Sequence, residues 1–139
     1  MKQLTVRDQV TLIEDEMRKH PRIEIPMRHY FSPGVYAREI TIPAGTLLTG
    51  RIHKYEQLNI LSSGEISVLT EEGMKRVKAP FTIVSPAGTK RIAFAHTECV
   101  WTTILGTDET DPDKIEQLFT VATEREFLAF SQQKITGST

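Results

Sequence analysis

The sequence predicts an all-β domain, a sandwich or small closed barrel, with one helix before it and two short helices after it. Three observations predict this. Between residue 22 and about residue 105, short strand-like runs follow one another at close spacing. Tight-turn residues separate them at Ser32-Pro33-Gly34, Pro43-Ala44-Gly45, Ser62-Ser63-Gly64, Glu71-Glu72-Gly73 and Pro86-Ala87-Gly88. On both sides of this region the apolar period lengthens from two residues to that of a helix. Closing many short strands into a barrel removes sheet edges that would otherwise pair between molecules.

The first element is a helix over residues 5–19. Thr5 caps its first turn, Asp8 is the capping-box partner, and Val6, Val10, Ile13 and Met17 fall on one face. That face packs outside the barrel or on a partner subunit, and the acidic Glu14-Asp15-Glu16 reads as a solvated face. Pro21 ends the helix, and His20 before it is a C-terminal cation favoured by the dipole. Alternation marks strands at Ile23-Glu24-Ile25 and 35–42, then at 47–53, 57–61, 65–70, 74–77, 81–84, 90–94 and 99–105. In the tail, Asp111 caps a helix with Pro112 at its first position and Ile115, Leu118 and Phe119 on its apolar face. Thr123-Glu124-Arg125-Glu126 is a capping box opening a second short helix that carries Phe127, Leu128 and Phe130, and residues 131–139 read as a frayed polar end. The chain divides into a helix (1–21), a barrel (22–106) and a helical tail (107–139) of one structural domain.

Composition narrows the function classes. At 139 residues one core is the default, and 39% hydrophobic with 25% charged residues is the balance of an ordered globular chain. A formal net charge of −1 creates no global field toward nucleic acid or anionic membrane, so a nucleic acid polymer is not an expected partner. The single cysteine, Cys99, forms no internal disulfide, which fits a reducing compartment, and in its apolar run it reads as a small buried hydrophobe. The first residues lack the apolar core of a signal peptide, and no apolar stretch reaches the roughly 20 residues of a membrane span. The expectation is a soluble cytoplasmic protein with no membrane partner.

Two blocks inside the strand region have fixed spacing. The first runs Gly45, five residues, Arg51, one residue, His53, three residues, Gln57, six residues, Gly64. The second runs Pro86-Ala87-Gly88, two residues, Arg91. Over roughly residues 30–106 this resembles the cupin superfamily. Its first motif carries a glycine, two histidines, a glutamate and a glycine, and its second a Pro-x-Gly followed by a third histidine. The resemblance implies a cupin-type double-stranded β-helix, a jelly-roll barrel, and a homodimer or higher homo-oligomer. Pro80 stands where the second motif's leading glycine would be, and Ala95 where its terminal asparagine would be. The runs Gly88-Thr89-Lys90-Arg91 and Trp101-Thr102-Thr103-Ile104, with the helix start at 108–116, are more narrowly similar to small cupins encoded by bacteriophages. That likeness implies a host cytoplasm.

Three of the four family metal-ligand positions are substituted, by Arg51, Gln57 and Arg91. The two-residue period of a strand puts Arg51 and His53 on one face, and Gln57, Asn59 and Leu61 on one face of the next strand. The resemblance implies that these faces point into the barrel, with Arg91 and the small Ala93 and Ala95 beside them. A guanidinium stays protonated and has no lone pair for a metal, Gln57 is a weak neutral donor, and His53 alone is not a site. His96 has opposite parity to Arg91 and points away. No metal and no cofactor is therefore expected. The same residues suit an anion, because two guanidinium forks with His53, Gln57 and Asn59 present hydrogen-bond donors to a phosphate or carboxylate. Breaking a buried pair to leave one charge alone costs roughly 3–5 kcal/mol. The plainer alternative is that Glu39, Glu56 or Glu65 neutralises the arginines within an inert polar core.

The leading expectation is a non-metal cupin that binds a small anionic ligand, phosphorylated or nucleotide-type, without turning it over. Arg51 and Arg91 clamp the anion, His53, Gln57 and Asn59 orient it, and Tyr36 or Trp101 covers it. For both aromatics, packing is the plainer role. His29, beside Tyr30 and Phe31, reads as an interface strand residue. With a phage origin, one role is sequestering a nucleotide-type host signal. Two alternatives stay open. One is a metal-independent sugar-nucleotide epimerase or isomerase with His53, ordinarily of pKa about 6.5, as base and Tyr30, Tyr36 or Tyr55 as acid. The other is an oligomeric scaffold module whose pocket is filled by side chains.

Overall fold

Alternating burial along the strands decides which side of each sheet becomes the core. The computed structural model describes residues 5–19, 24–70, 72–90 and 92–136. Its strands are β1 (Met27–Ser32), β2 (Val35–Ile42), β3 (Leu47–Thr49), β4 (Ile52–His53), β5 (Gln57–Ser63), β6 (Glu65–Thr70), β7 (Gly73–Lys78), β8 (Phe81–Ser85), β9 (Ile92–Ala95), β10 (Cys99–Leu105) and β11 (Thr120–Val121). The helices are α1 (Val6–Met17), α2 (Pro112–Phe119) and α3 (Glu124–Thr136).

Most strands fall where alternation predicts them, and three departures have local reasons. The run 47–53 breaks at Gly50 and Arg51, leaving β3 and the two-residue β4. Glu24 and Ile25 are not in a strand; β1 starts after Pro26, whose ring nitrogen has no proton to donate to a ladder. Ile23, like His20, Pro21 and Arg91, lies outside the described residues. Strand β11, which two residues of sequence cannot announce, exists because it pairs antiparallel with β4.

Every pairing is antiparallel. One sheet has the order β1-β2-β10-β5-β8, the other β3-β9-β6-β7, and β4 with β11 forms a short ribbon. Neighbours so distant in sequence as β2 and β10 are what a jelly roll requires. The inner faces meet in a core of Ile42, Leu61, Ile66, Val68, Ala93, Ala95 and Cys99, with Ile40, Leu48, Phe81 and Trp101 packed against it.

The helices brace this barrel. Helix α1 opens with the expected capping box between Thr5 and Asp8. Its Val10 is buried against Ile92 of β9 with Ile13 beside them, so α1 covers its own barrel. Glu14 departs from the expected solvated face: it receives Lys90 Nζ at 2.8 Å and the Thr49 hydroxyl at 3.0 Å. In α2, Asp111 caps and Pro112 leads, as expected, but Leu118 is exposed. Ile115 is the buried residue of this helix, and Phe119, four residues on, meets Tyr55 edge-on. Thr123 accepts from Glu126 N as in a capping box, while the Glu126 carboxylate reaches Ala122 N instead of Thr123 N. Helix α3 then runs to Thr136, past the start of the end expected to fray. Among the described residues no helix is long and apolar enough to cross a membrane.

Gly64, closing the β5–β6 turn, has φ +92°, and a Cβ there would lie 2.2 Å from the Glu98 carbonyl oxygen. Gly34 has φ +78° but open space around it. Gly64→Ala is therefore expected to cost more than about 3 kcal/mol and Gly34→Ala about 1 kcal/mol. Urea unfolding of the two variants measures the difference; equal losses would refute the steric account.

Candidate functional site

Cross-strand partners in a sheet share a face, and two neighbouring rungs of the five-stranded sheet differ sharply in polarity. One rung joins His29, Arg38, Thr103 and Asn59 and ends at Ile83. The rung two residues deeper joins Met27, Ile40, Trp101, Leu61 and Phe81. The facing sheet adds only apolar side chains, Leu48, Ile66, Val68 and Ala93, to the space between. The result is a cavity of about 120 Å³ with an apolar end and a polar end, the latter carrying Arg38, Arg51, His53, Gln57 and Asn59. No aspartate or glutamate is among its described lining residues.

The predicted site residues separate into distinct environments. Gln57 is 6% exposed, and its Oε1 is buried without a hydrogen-bond partner among the described residues. His53 lines the same cavity, and its buried Nδ1 has no partner among the described residues. Its main chain is tied to the second motif, since Gly88 N donates to His53 O at 2.8 Å. Asn59 is committed internally: Nδ2 donates to Ser85 Oγ at 2.9 Å, and Oδ1 accepts from the Thr103 hydroxyl at 2.8 Å. Trp101 lines the apolar end and packs on the core. Tyr36 does not line this cavity; its hydroxyl is 2.6 Å from His29 Nδ1, and its ring stacks with His29 and Phe31. Arg91 lies outside the described residues.

Arg51 is at the rim, not in the interior. Its side chain is 42% exposed; Nε donates to the Thr120 hydroxyl at 2.8 Å and lies 3.3 Å from Glu116 Oε1. The carboxylate beside it thus comes from α2 and is not Glu39, Glu56 or Glu65. Glu65 instead pairs with Arg76 at 3.0 Å. The break of the strand at Gly50 leaves Arg51 at the rim, because the period-two argument holds only within one continuous strand.

Sequence reasoning missed Arg38. It lies on the inward face of β2 with Tyr36, Ile40 and Ile42, and the alternation from Val35 to Ile42 contained that signal. Arg38 lines the cavity between the sheets and also a second one of about 190 Å³ beneath α2, which His29, Tyr36, Asp113 and Glu116 border. Thr103 and His53 line both as well. Among the described residues Arg38 makes no ion pair.

These positions explain the electrostatics. Desolvation, and then the positive Arg38, push His53 down to a pKa of about 4, so it is neutral at pH 7. Burial raises the Tyr36 hydroxyl's pKa despite the opposing effect of Arg38. Cys99 is fully buried and its thiol pKa is raised, chiefly by desolvation, which leaves it inert. His96 bonds Ser67 at 2.6 Å away from the cavity.

A metal of the kind the family resemblance implies does not fit the described donors. Arg51 is a cation engaged by Glu116, Gln57 is an amide, and His53 is a single imidazole. Among the described residues no three His, Cys, Asp or Glu side chains gather to hold an ion.

No family model and no curated protein sequence matches the chain. Solved structures match by shape. They include a cupin superfamily protein from Desulfitobacterium hafniense, at 11% identity over 64% of this chain and 83% of that one, with a TM-score of 0.52. A cupin-2 domain containing protein from Shewanella frigidimarina aligns at 12% identity over 68% and 92%, with a TM-score of 0.50. An acetylacetone dioxygenase from Acinetobacter johnsonii aligns at 19% identity over 59% of each chain, with a TM-score of 0.50, so the match spans less than two thirds of that enzyme. The chain has a cupin-type jelly-roll fold with an N-terminal helix and two C-terminal helices.

The lowered His53 pKa has a consequence for stability. Between about pH 6.5 and pH 4 the unfolded chain binds a proton at His53 that the folded one does not. Stability from this group is therefore full above pH 6.5 and is lost as pH falls toward 4, by at most about 3 kcal/mol. Urea unfolding from pH 7.5 to 4 is expected to show a shallower decline in His53→Gln than in the wild type. Parallel profiles would mean that His53 titrates normally.

Proposed function

We propose that this protein is a non-metal cupin that binds a small anion inside its barrel. The observation that carries this reading is the polar end of the inter-sheet cavity, where Arg38, Arg51 and His53 meet with no described carboxylate lining it. A guanidinium facing partly desolvated space is under-satisfied until an acceptor arrives, and a carboxylate or phosphate supplies two acceptors to one fork. Arg38 is the principal cation in this reading, and Arg51 joins by exchanging Glu116 for the ligand. Arg91 belongs to the same proposal by its place in the second motif.

Other readings fit less well. An epimerase would need His53 as base, yet a group of pKa about 4 is a weak one at neutral pH. A filled scaffold pocket would leave no cavity, and its arginines would pair inside with Glu39, Glu56 or Glu65. The phage likeness implies sequestration of a nucleotide-type signal in a host cytoplasm, the larger version of the same anion-binding role. A homodimer belongs to the proposal too, supported by the outer strand β1, on which Met27, Tyr30 and Phe31 are exposed.

Thermal-shift titration with a panel of carboxylates and phosphates tests the reading. At least one anion is expected to stabilise the wild type, with affinity falling roughly tenfold or more in Arg38→Ala. Glu116→Gln is expected to strengthen binding, because it removes the carboxylate that competes for Arg51. An absence of any anion effect would reject the proposal.

A further inference from the structure

Size, depth profile and unmet hydrogen bonds together restrict what the cavity accepts, and the inference rests on the anion-binding reading above. The space of about 120 Å³, open at its polar rim, is slightly smaller than an engineered cavity of about 150 Å³ that holds benzene. Pockets for drug-sized molecules run to about 300–1,000 Å³. An adenine ring with its ribose and phosphate would leave most of its bulk outside.

The depth profile sets polarity. At the inner end, Ile42, Ile66, Val68, Ala93 and Trp101 offer no hydrogen-bonding partner to a polar ligand group, apart from the indole N–H. An inorganic phosphate placed there would lose hydration without replacement, whereas a short branched hydrocarbon gains by burial. At the polar end, Arg51 is already engaged by Thr120 and Glu116, which leaves Arg38 as the fork without an ion pair among the described residues. One planar fork matches one carboxylate. Gln57 adds a requirement of the opposite sense. Its Oε1 is an acceptor, buried in a residue only 6% exposed, and it has no donor among the described residues. His53 Nδ1 is a second buried atom lacking a partner beside the same space.

We propose that the cavity binds a short 2-hydroxy carboxylic acid with a branched apolar tail. Its hydrocarbon lies against the Trp101 end, its carboxylate accepts from Arg38, and its hydroxyl donates to Gln57 Oε1. Nothing is transferred or oxidised; the site recognises and holds.

Isothermal titration calorimetry on the intact protein at pH 7.5 tests this with five probes: 2-hydroxyisovalerate, isovalerate, 2-hydroxyisovaleramide, inorganic phosphate and AMP. The hydroxy acid is expected to bind at least about tenfold more tightly than isovalerate, which leaves Gln57 unmet, and than the amide, which lacks the charge. Phosphate and AMP are expected to be weaker still. In Gln57→Leu the hydroxy acid and isovalerate should become equal; because the first comparison uses the wild type alone, an unfolded variant does not rescue the idea. Equal wild-type affinities for the hydroxy acid and isovalerate overturn the proposal. Tighter phosphate or AMP binding overturns this ligand class while sustaining the general anion-binding reading. Silence from every probe, together with an unresponsive wider anion panel, rejects both.

Discussion

An arginine placed between two cavities, the inter-sheet one lined by no described carboxylate, is the constraint around which the rest of this site is arranged. Arg38 sits at the boundary between a polar rung and an apolar one, where water is partly excluded and electrostatic interactions act with less screening than in bulk. Its field contributes to keeping His53 neutral, second to the effect of burial. Tyr36, one position along the same inward face, feels the same charge but has its hydroxyl turned to His29. Asn59 is held by hydrogen bonds to Ser85 and Thr103, so this part of the polar end is already satisfied internally.

The three helices make this geometry possible. Arg7 of α1 donates to the Gly88 carbonyl, and its Nη1 lies 2.8 Å from Glu124 of α3, an ion pair by distance without hydrogen-bond alignment. Phe127 packs where Gly88 has no side chain, and a Cβ there would come within 2.9 Å of the ring. The Pro86-Ala87-Gly88 loop is thus held between two helices while bonding to β4, which carries His53. Helix α2 lies over the second cavity and supplies Glu116 to Arg51, so under the proposed function an anion would meet a competitor at the rim. The exposed pair is a weak interaction by itself, which would suit the exchange that this proposal requires.

Much of this was legible from the residues in order. The spacing of Gly45, Gly64 and the Pro-x-Gly block encodes turns that only particular backbones allow, and it led to the right fold. Gln57, Asn59 and Leu61 face inward because β5 is continuous, so period two applied without interruption. Arg51 shows where that logic stops. A break at Gly50 left it at the rim of the cavity that His53 also lines, and the carboxylate it found is 65 residues away in sequence, on a helix whose docking no local pattern specifies. Arg38 was readable in principle, on the same face as Tyr36, but its motif-free position drew no notice.

Chemistry along the chain thus determined the strands, their turns, the capped helices and the replacement of metal-ligand types by cationic and amide ones. These depend on backbone preference, side-chain period and the absence of a lone pair on guanidinium, all properties of neighbours in sequence. Tertiary structure alone decided that Arg38 joins Arg51 along the cavity, which carboxylate neutralises Arg51, and how much room is left between the sheets. Those outcomes depend on strand register and helix docking, where residues far apart in the chain come within a few ångströms and burial fixes their charge.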